Sequence, residues 1–464
     1  MRTTGARIAL RVGLVVVLVA ETFALSVARV PSPVLLVADL LLGATPGTLA
    51  TWFLATFRGA ARPLLLAAAT LVVLGVSVTA VAGLRSVLHR AGWAARDPRD
   101  GADLGPEGDG GGRALDRRLV LQGSAALLLG IVVVRAGTAL RMDRVVDAGR
   151  ALIARDPLPP VAPDQDLSPT VAGLSAAITP IASFYRIDTS LRVLTIDLET
   201  WRLRIHGLVE QEVELSFDDL IALGLEEHDV TLSCVSNEVG GGLVGTGRWL
   251  GVPLERVVAL AGPLPEGEQL VGRSVDGWTA GFPTELHRTP GALVAVGMNG
   301  ETLPYAHGWP ARLVVPGLYG YVSATKWLTG IELTTWDGFD GFWVERLWAK
   351  EAPVKLTSRV DVPPVAARIS AGPTRAAGVA WGPLGGVSRV EVRVDDGEWQ
   401  EATLSRPLGR DTWVQWYADV TVPPGRHDIE VRAYDGEGGL QSGRRRAPLP
   451  DGAEGWHRRS VRAT

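Results

Sequence analysis

The single cysteine of this 464-residue chain, Cys234, lies in the run Thr231-Leu-Ser-Cys234-Val-Ser-Asn237-Glu-Val-Gly-Gly-Gly242. One thiol can neither close an intramolecular disulfide nor belong to a cysteine-rich zinc site. The β-branched and apolar residues Val230 to Leu232 predict a strand end, and Asn237 with the glycines at 240–242 predicts an open loop. A thiolate at the mouth of a strand is available as a metal ligand or nucleophile. A lone cysteine equally suits the role of a small buried apolar residue. Three distant segments also carry residues that packing explains poorly. Phe184-Tyr-Arg186-Ile-Asp188 sets an arginine among apolar residues. Pro304-Tyr-Ala-His307-Gly-Trp-Pro-Ala-Arg312 follows a hairpin signal at Met298-Asn-Gly-Glu301. Pro316-Gly317-Leu-Tyr-Gly320-Tyr-Val-Ser323-Ala-Thr325-Lys326-Trp327 is a glycine-punctuated loop ending in one of only three lysines, in a chain otherwise rich in arginine.

The elements that must position these residues are α+β in pattern. Residues 201–207 alternate like a half-buried strand. Ser216, followed by Asp218-Asp219 and the run Leu220 to Leu223, predicts an N-capped short helix, and 252–260 a second one. Strands are predicted at 269–274, 292–298 and 312–315. Beyond about 354 the texture changes to short strands between turn signals, at 387–394, 412–422, 426–433 and 456–462, with a hairpin signal at Asp395-Asp396-Gly397. That spacing predicts an all-β sandwich of the immunoglobulin kind without its cysteine pair.

The first 150 residues are different. Residues 8–28, 64–84 and 119–140 are long and apolar enough to cross a bilayer, whereas 34–57 is broken by Gly43, Pro46 and Gly47 and reads as re-entrant or interfacial. Arg2, Arg7 and Arg11, and the seven arginines from Arg85 to Arg118, place both flanking segments in the cytoplasm. Three spans then leave the rest of the chain outside the cytoplasm. None of them contains histidine, so a bis-histidine haem is not expected there. Arg117-Arg118 before the third span is consistent with a twin-arginine export signal as well as with ordinary topology control. Residues 97–112 read as a flexible linker, and the proline-rich stretch 156–180 as an extended tether. Net charge is −4 and no aromatic-studded basic patch is present, which argues against nucleic acid as a partner.

Taken together, the His307–Arg312 run, the Val-Pro-Gly that follows it, the Lys326-Trp327 pair and the lone cysteine resemble the molybdopterin-dependent oxidoreductases of the sulfite oxidase family. The resemblance covers roughly residues 176–464, and the anchor is similar to that of actinobacterial members. Beyond the transmembrane helices read above over 1–150 and the tether over 151–175, it implies an α+β molybdopterin domain over 176–345 and an immunoglobulin-like sandwich of the family's dimerisation type over 346–464. It further implies that Cys234 ligates molybdenum, soft thiolate ligation suiting that metal site. His307 and Arg312 would grip the pterin and its phosphate, an arginine fork suiting that anion. Backbone N–H groups of Gly317, Gly320 and the Ser323–Thr325 turn would face the same phosphate, and Lys326 would add a point charge. Arg186 would steer an oxyanion near the metal, and Ser274 and Asp276 would contact the pterin.

The expected activity is two-electron oxygen-atom transfer on a small sulfur oxyanion or sulfoxide-like substrate. Electrons would pass through a separate carrier, and a homodimer could form through the sandwich. The chain also departs from the family. Where sulfite oxidases carry Asn-Arg-Arg it has Asn237-Glu238-Val239, and the active-site tyrosine has no counterpart in the run 336–343. Each lost charged hydrogen bond weakens dianion binding by roughly 1.5–3 kcal/mol, which counts against sulfite. The histidine at 307 separates the chain from the bacterial methionine-sulfoxide reductases, which otherwise share the missing arginine. Two competing readings are a non-catalytic envelope binding module and a cysteine hydrolase pairing Cys234 with His206 or His307. The first has no need of Cys234, His307, Arg312 and Lys326, and the second lacks a nucleophile motif.

Overall fold

The alternation Leu-Arg-Ile-His at 203–206 sends Leu203 and Ile205 into the core, both fully buried, and turns Arg204 outward. The computed structural model describes residues 160–189, 194, 196–382 and 385–464, all within one compact unit. Among the described residues no helix is long and apolar enough to cross a membrane. The three expected spans, the re-entrant stretch and the cytoplasmic linker lie outside them.

The strand Leu203–Gly207 belongs to a five-stranded sheet with Val213–Leu215, Leu328–Thr334, Gln269–Ser274 and Thr279–Pro283. It runs parallel to Leu328–Thr334, while the other pairings are antiparallel. A second sheet is built from Glu226–Ser233, Val244–Pro253, Leu293–Met298 and Glu301–Thr302, with Arg312–Val314 pairing beside Leu293–Met298. The helices between them are short. Phe217–Ala222 starts where predicted, Ser216 and Asp219 capping each other's backbone N–H groups. Asn299 and Gly300 make the predicted tight hairpin, with φ of 52° and 78°.

The sandwich contains the strands expected near 387–394, 412–422, 426–433 and 456–462 and adds others, Thr357–Val362 and Gly372–Trp381 foremost, that were not expected. Thr357–Val362, Gly372–Trp381, Val414–Val422 and Thr403–Leu404 form one sheet. Val387–Val394, Gly425–Asp435, His457–Ala463 and two short edge strands form the other. Their inner faces enclose a core that includes Trp416, Val431 and Ile429. Trp381 and Trp413 instead belong to the core of the preceding domain, so the sandwich is docked through buried apolar surface.

The proline-rich tether is a correction. From Pro160 onward it is a turned strap lying on the sandwich. Leu167, Val171 and Leu174 pack with Val362, Ala377 and Tyr417. Gln415 Oε1 accepts the Leu167 N–H at 2.6 Å, and Asp164 pairs with Arg406 at 2.6 Å. The strap then crosses to the other domain, where Thr179 N–H donates to the Thr246 carbonyl at 2.8 Å. Proline content suggested extension, but three apolar side chains at a spacing of three and four residues found a surface to cover.

His457 shows how tightly this unit is closed. Its Nδ1 accepts the Val360 N–H at 2.9 Å. Burial, aided by Arg459 and Arg359, pushes its pKa down to about 4. A folded-state value below the unfolded value near 6.5 stabilises the fold above that pH, and the contribution is lost as pH falls towards 4. The expected loss is at most about 3 kcal/mol. Urea titrations at pH 7.5 and 4.5 should show it in the natural chain but not in His457→Phe; equal pH dependence in both proteins would refute it.

Candidate functional site

Cys234 follows the last residue of the strand Glu226–Ser233. The Cys234 N–H donates to the Leu243 carbonyl at 2.9 Å, and Asn237 Oδ1 accepts the Leu243 N–H at 2.8 Å. The loop is therefore closed at its base, with Cys234 half-buried on the wall of a cleft of about 920 Å³ counted out to its mouth. Burial pushes the thiol pKa up, opposed by hydrogen bonds from Ser236 and by the charge of Lys326.

The same cleft is walled by His307, Arg312 and Lys326. His307 ends a 3-10 turn, Tyr305–His307, whose closing residue Gly308 has φ +114°. A Cβ there would also meet Lys326 at 3.0 Å, so glycine is needed for conformation and for space. His307 is buried edge-on to Phe184, and burial together with Arg312 and Lys326 lowers its pKa to about 4. It is neutral at physiological pH. Arg312 is 5% exposed, lies over the Trp249 ring at 5.0 Å, and donates to the His307 carbonyl at 3.1 Å. Burial lowers its pKa to about 10, leaving it charged. Lys326 pairs with Asp188, and burial brings its pKa to about 8. Trp327, held at φ +50° with Nε1 donating to the Tyr305 carbonyl at 2.9 Å, also lines the cleft.

Ser274 and Asp276 reach the wall, as expected. Three expected residues do not. Residues Gly320–Ser323 form a helical turn that directs the Ser323 hydroxyl back to the Tyr319 carbonyl at 3.1 Å. Thr325 is fully buried against Gly272, while Gly320, Tyr321 and Ala324 of this stretch line the cleft. Arg186 lies behind the wall, with Nε donating to Asp188 Oδ2 at 2.5 Å, so it neutralises Asp188 instead of facing an oxyanion in the cleft. Glu238 and Val239, where the family carries arginines, border a separate small cavity with Tyr319, Thr357 and Trp381.

Sequence reasoning missed Tyr185, Tyr321, Trp278, Trp343 and Trp348 as cleft residues. Tyr185 stacks on Phe184, and burial beside Cys234 raises its hydroxyl pKa far above the ordinary value, so its proton stays on Oη. Its only signal was adjacency to Arg186.

The residues fit an anionic cofactor. Two buried cations face the cleft, and Arg312 has only carbonyl oxygens at hydrogen-bond distance. A buried charge met only by carbonyl oxygens is costly unless a ligand supplies the opposite charge. A soft thiol, two cations and several tryptophans on one cleft wall suit a metal held through an organic, anionic group.

Comparisons with known proteins agree. The family described as "Oxidoreductase molybdopterin binding domain" matches residues 190–343. Human mitochondrial sulfite oxidase is 32% identical over 303 residues, covering 55% of this chain and 55% of that protein. The Bacillus subtilis protein named "Uncharacterized oxidoreductase YuiH" is 34% identical over 151 residues, covering 32% of this chain and 71% of that one. The crystal structure of the sulfane dehydrogenase SoxCD from Paracoccus pantotrophus matches with a TM-score of 0.52 at 25% identity, covering 58% of this chain and 75% of that chain. The chain thus spans about half the length of the mammalian sulfite oxidases it matches. It belongs to the sulfite oxidase family of molybdopterin-dependent oxidoreductases, and its cofactor is molybdenum–molybdopterin.

Proposed function

We propose that this protein is a membrane-anchored oxidoreductase catalysing two-electron oxygen-atom transfer on a small sulfur-oxo substrate outside the cytoplasm. The observation that carries the reading is Cys234 on one cleft wall with the buried cations Arg312 and Lys326. Bound there, the cofactor supplies a two-electron centre for moving an oxygen atom. Cys234 would be its protein ligand, Arg312 and Lys326 would hold its phosphate and pterin, and the tryptophans would cover it from water. Tyr185 keeps a proton at Oη near the thiol and can donate a hydrogen bond to an oxygen in the cleft. The arginines before residue 12 and between 85 and 118 support the orientation. A separate electron carrier and a homodimer through the sandwich complete the reading.

Of the two substrate classes, an uncharged sulfoxide suits the cleft better than sulfite. Its wall bears Arg312 and Lys326 against Asp276, with Asp188 paired to Arg186 and His307 neutral. A thiolate and a phosphate add further negative charge, so a dianion is repelled, while Trp278, Trp343 and Trp348 offer apolar surface. Reduction would take two electrons and two protons, breaking S=O and releasing a thioether and water. Turnover of methyl aryl sulfoxides with a reduced dye should exceed sulfite oxidation with an oxidised dye. Asp276→Asn should raise kcat/KM for sulfite by about 3–10-fold by removing one like charge. Preference for sulfite, with no response to Asp276→Asn, would reverse the assignment.

A further inference from the structure

Cys234 is flanked on both sides by backbone whose partners come from the sandwich. Before it, Glu226–Ser233 is the outermost strand of its sheet. On that open edge the Thr231 N–H donates to the Asp411 carbonyl at 2.8 Å, and Thr231 Oγ1 accepts the Trp413 N–H at 2.8 Å. After it, the Gly241 carbonyl accepts Arg359 Nη1 at 2.9 Å. Gly240, at φ +79°, packs so closely on His457 that a Cβ would fall 2.2 Å from the imidazole. The loop is itself tight, since the Gly241 N–H donates to the Glu238 carbonyl at 2.8 Å and the Asn237 N–H to the Cys234 carbonyl at 3.0 Å. Holding Gly241 therefore holds Cys234.

Arg359 is built for this. It is 8% exposed and fixed from three directions. Nε donates to Asp361 Oδ1 at 2.6 Å, Nη2 to Ser175 Oγ of the strap at 2.9 Å, and Nη1 to Gly241. A rigid guanidinium fork can hold three groups in register where a flexible ammonium holds fewer.

We propose that Arg359 is a positioning residue for the metal ligand: through Gly241 it fixes the loop that presents Cys234 to the cleft, so the sandwich and the strap are parts of the cofactor site. The proposal rests on Cys234 ligating the metal. It is distinct from any role of the sandwich in pairing two copies of the chain, because every contact named lies within one chain.

The lone cysteine provides a clean readout. The full chain, prepared in a host unable to make the cofactor, would be labelled with a maleimide, and molybdenum retention would be followed separately on chain from a competent host. Arg359→Gln should change the Cys234 labelling rate and shorten molybdenum retention, each by about tenfold, the scale expected for an outer-shell partner. Arg359→Lys, which keeps a donor for Gly241, should restore part of both. Arg406→Ala, which breaks the exposed strap pair with Asp164, should change neither, and melting temperatures of all four proteins show whether general destabilisation accounts for the effect. Labelling and retention of Arg359→Gln equal to those of the natural chain would overturn the proposal, as would the same changes in Arg406→Ala. If Arg359→Gln does not fold, Arg359→Lys behaving like the natural chain in labelling but losing molybdenum tenfold faster would also refute it. Absence of molybdenum from the natural chain would instead refute the assigned function.

Discussion

Replacing Cys234 by serine is expected to abolish the proposed oxygen-atom transfer while leaving the fold intact. The side chain is half-buried at the end of a strand, and its position is set by backbone bonds to Leu243 and Asn237 that a serine would keep. The loss would fall on the proposed ligation, because a hydroxyl does not supply the soft anionic donor a thiolate does. Removing an outer-shell partner at a metal site commonly costs 10–100-fold, so loss of the ligand itself should exceed about 100-fold in kcat. The measurement is turnover of the natural chain and Cys234→Ser on sulfite and a panel of sulfoxides, with circular dichroism to confirm folding. Equal rates on every substrate would remove Cys234 from the chemistry.

Arg312→Met is expected to separate cofactor binding from stability. Arg312 stays charged although buried, and its hydrogen-bond partners are backbone carbonyls of His307, Leu313 and Ala324. A buried charge without a directly paired carboxylate is a cost to the empty protein. Methionine keeps much of the apolar length over Trp249 and removes that cost. The cofactor-free variant should melt at the same temperature as the natural chain or slightly higher. With the cofactor the balance reverses, since each charge-assisted bond to a phosphate contributes roughly 1.5–3 kcal/mol. Molybdenum per chain should then fall at least about tenfold. Metal analysis and thermal denaturation of both forms decide it. Full molybdenum content in Arg312→Met would show that this guanidinium does not grip the cofactor.

Much of this protein was legible from residue types and spacing. Strand alternation predicted Gln269–Ser274 and Val387–Val394 at their observed bounds, and Ser216 marked its helix through a capping interaction confined to four residues. These features depend on local backbone geometry, which the chain carries in its own neighbourhood. The cysteine, histidine, arginine and lysine of the cleft were also recognisable, because side chains so poorly suited to packing need another reason to be there. Facing was harder. Ser323, Thr325 and Arg186 stand within one or two residues of cleft-lining positions, and a single helical turn or an adjacent carboxylate was enough to turn them from the wall.

What tertiary structure alone decided is the company those residues keep. Glu238 and Val239 read as altered substrate contacts, yet they border the sandwich, because a loop closed by Asn237 puts consecutive residues on opposite sides. The strap read as a spacer, yet Leu167, Val171 and Leu174 found a partner surface more than 180 residues away. Arg359 carried no motif at all, and two of its three bonds reach partners 118 and 184 residues away. Sequence determined which residue types the cleft can offer, since a soft thiol and the positive charges of arginine and lysine are properties of residue type. Orientation and long-range pairing depend on how sheets and loops close in space, and only the folded chain settles them.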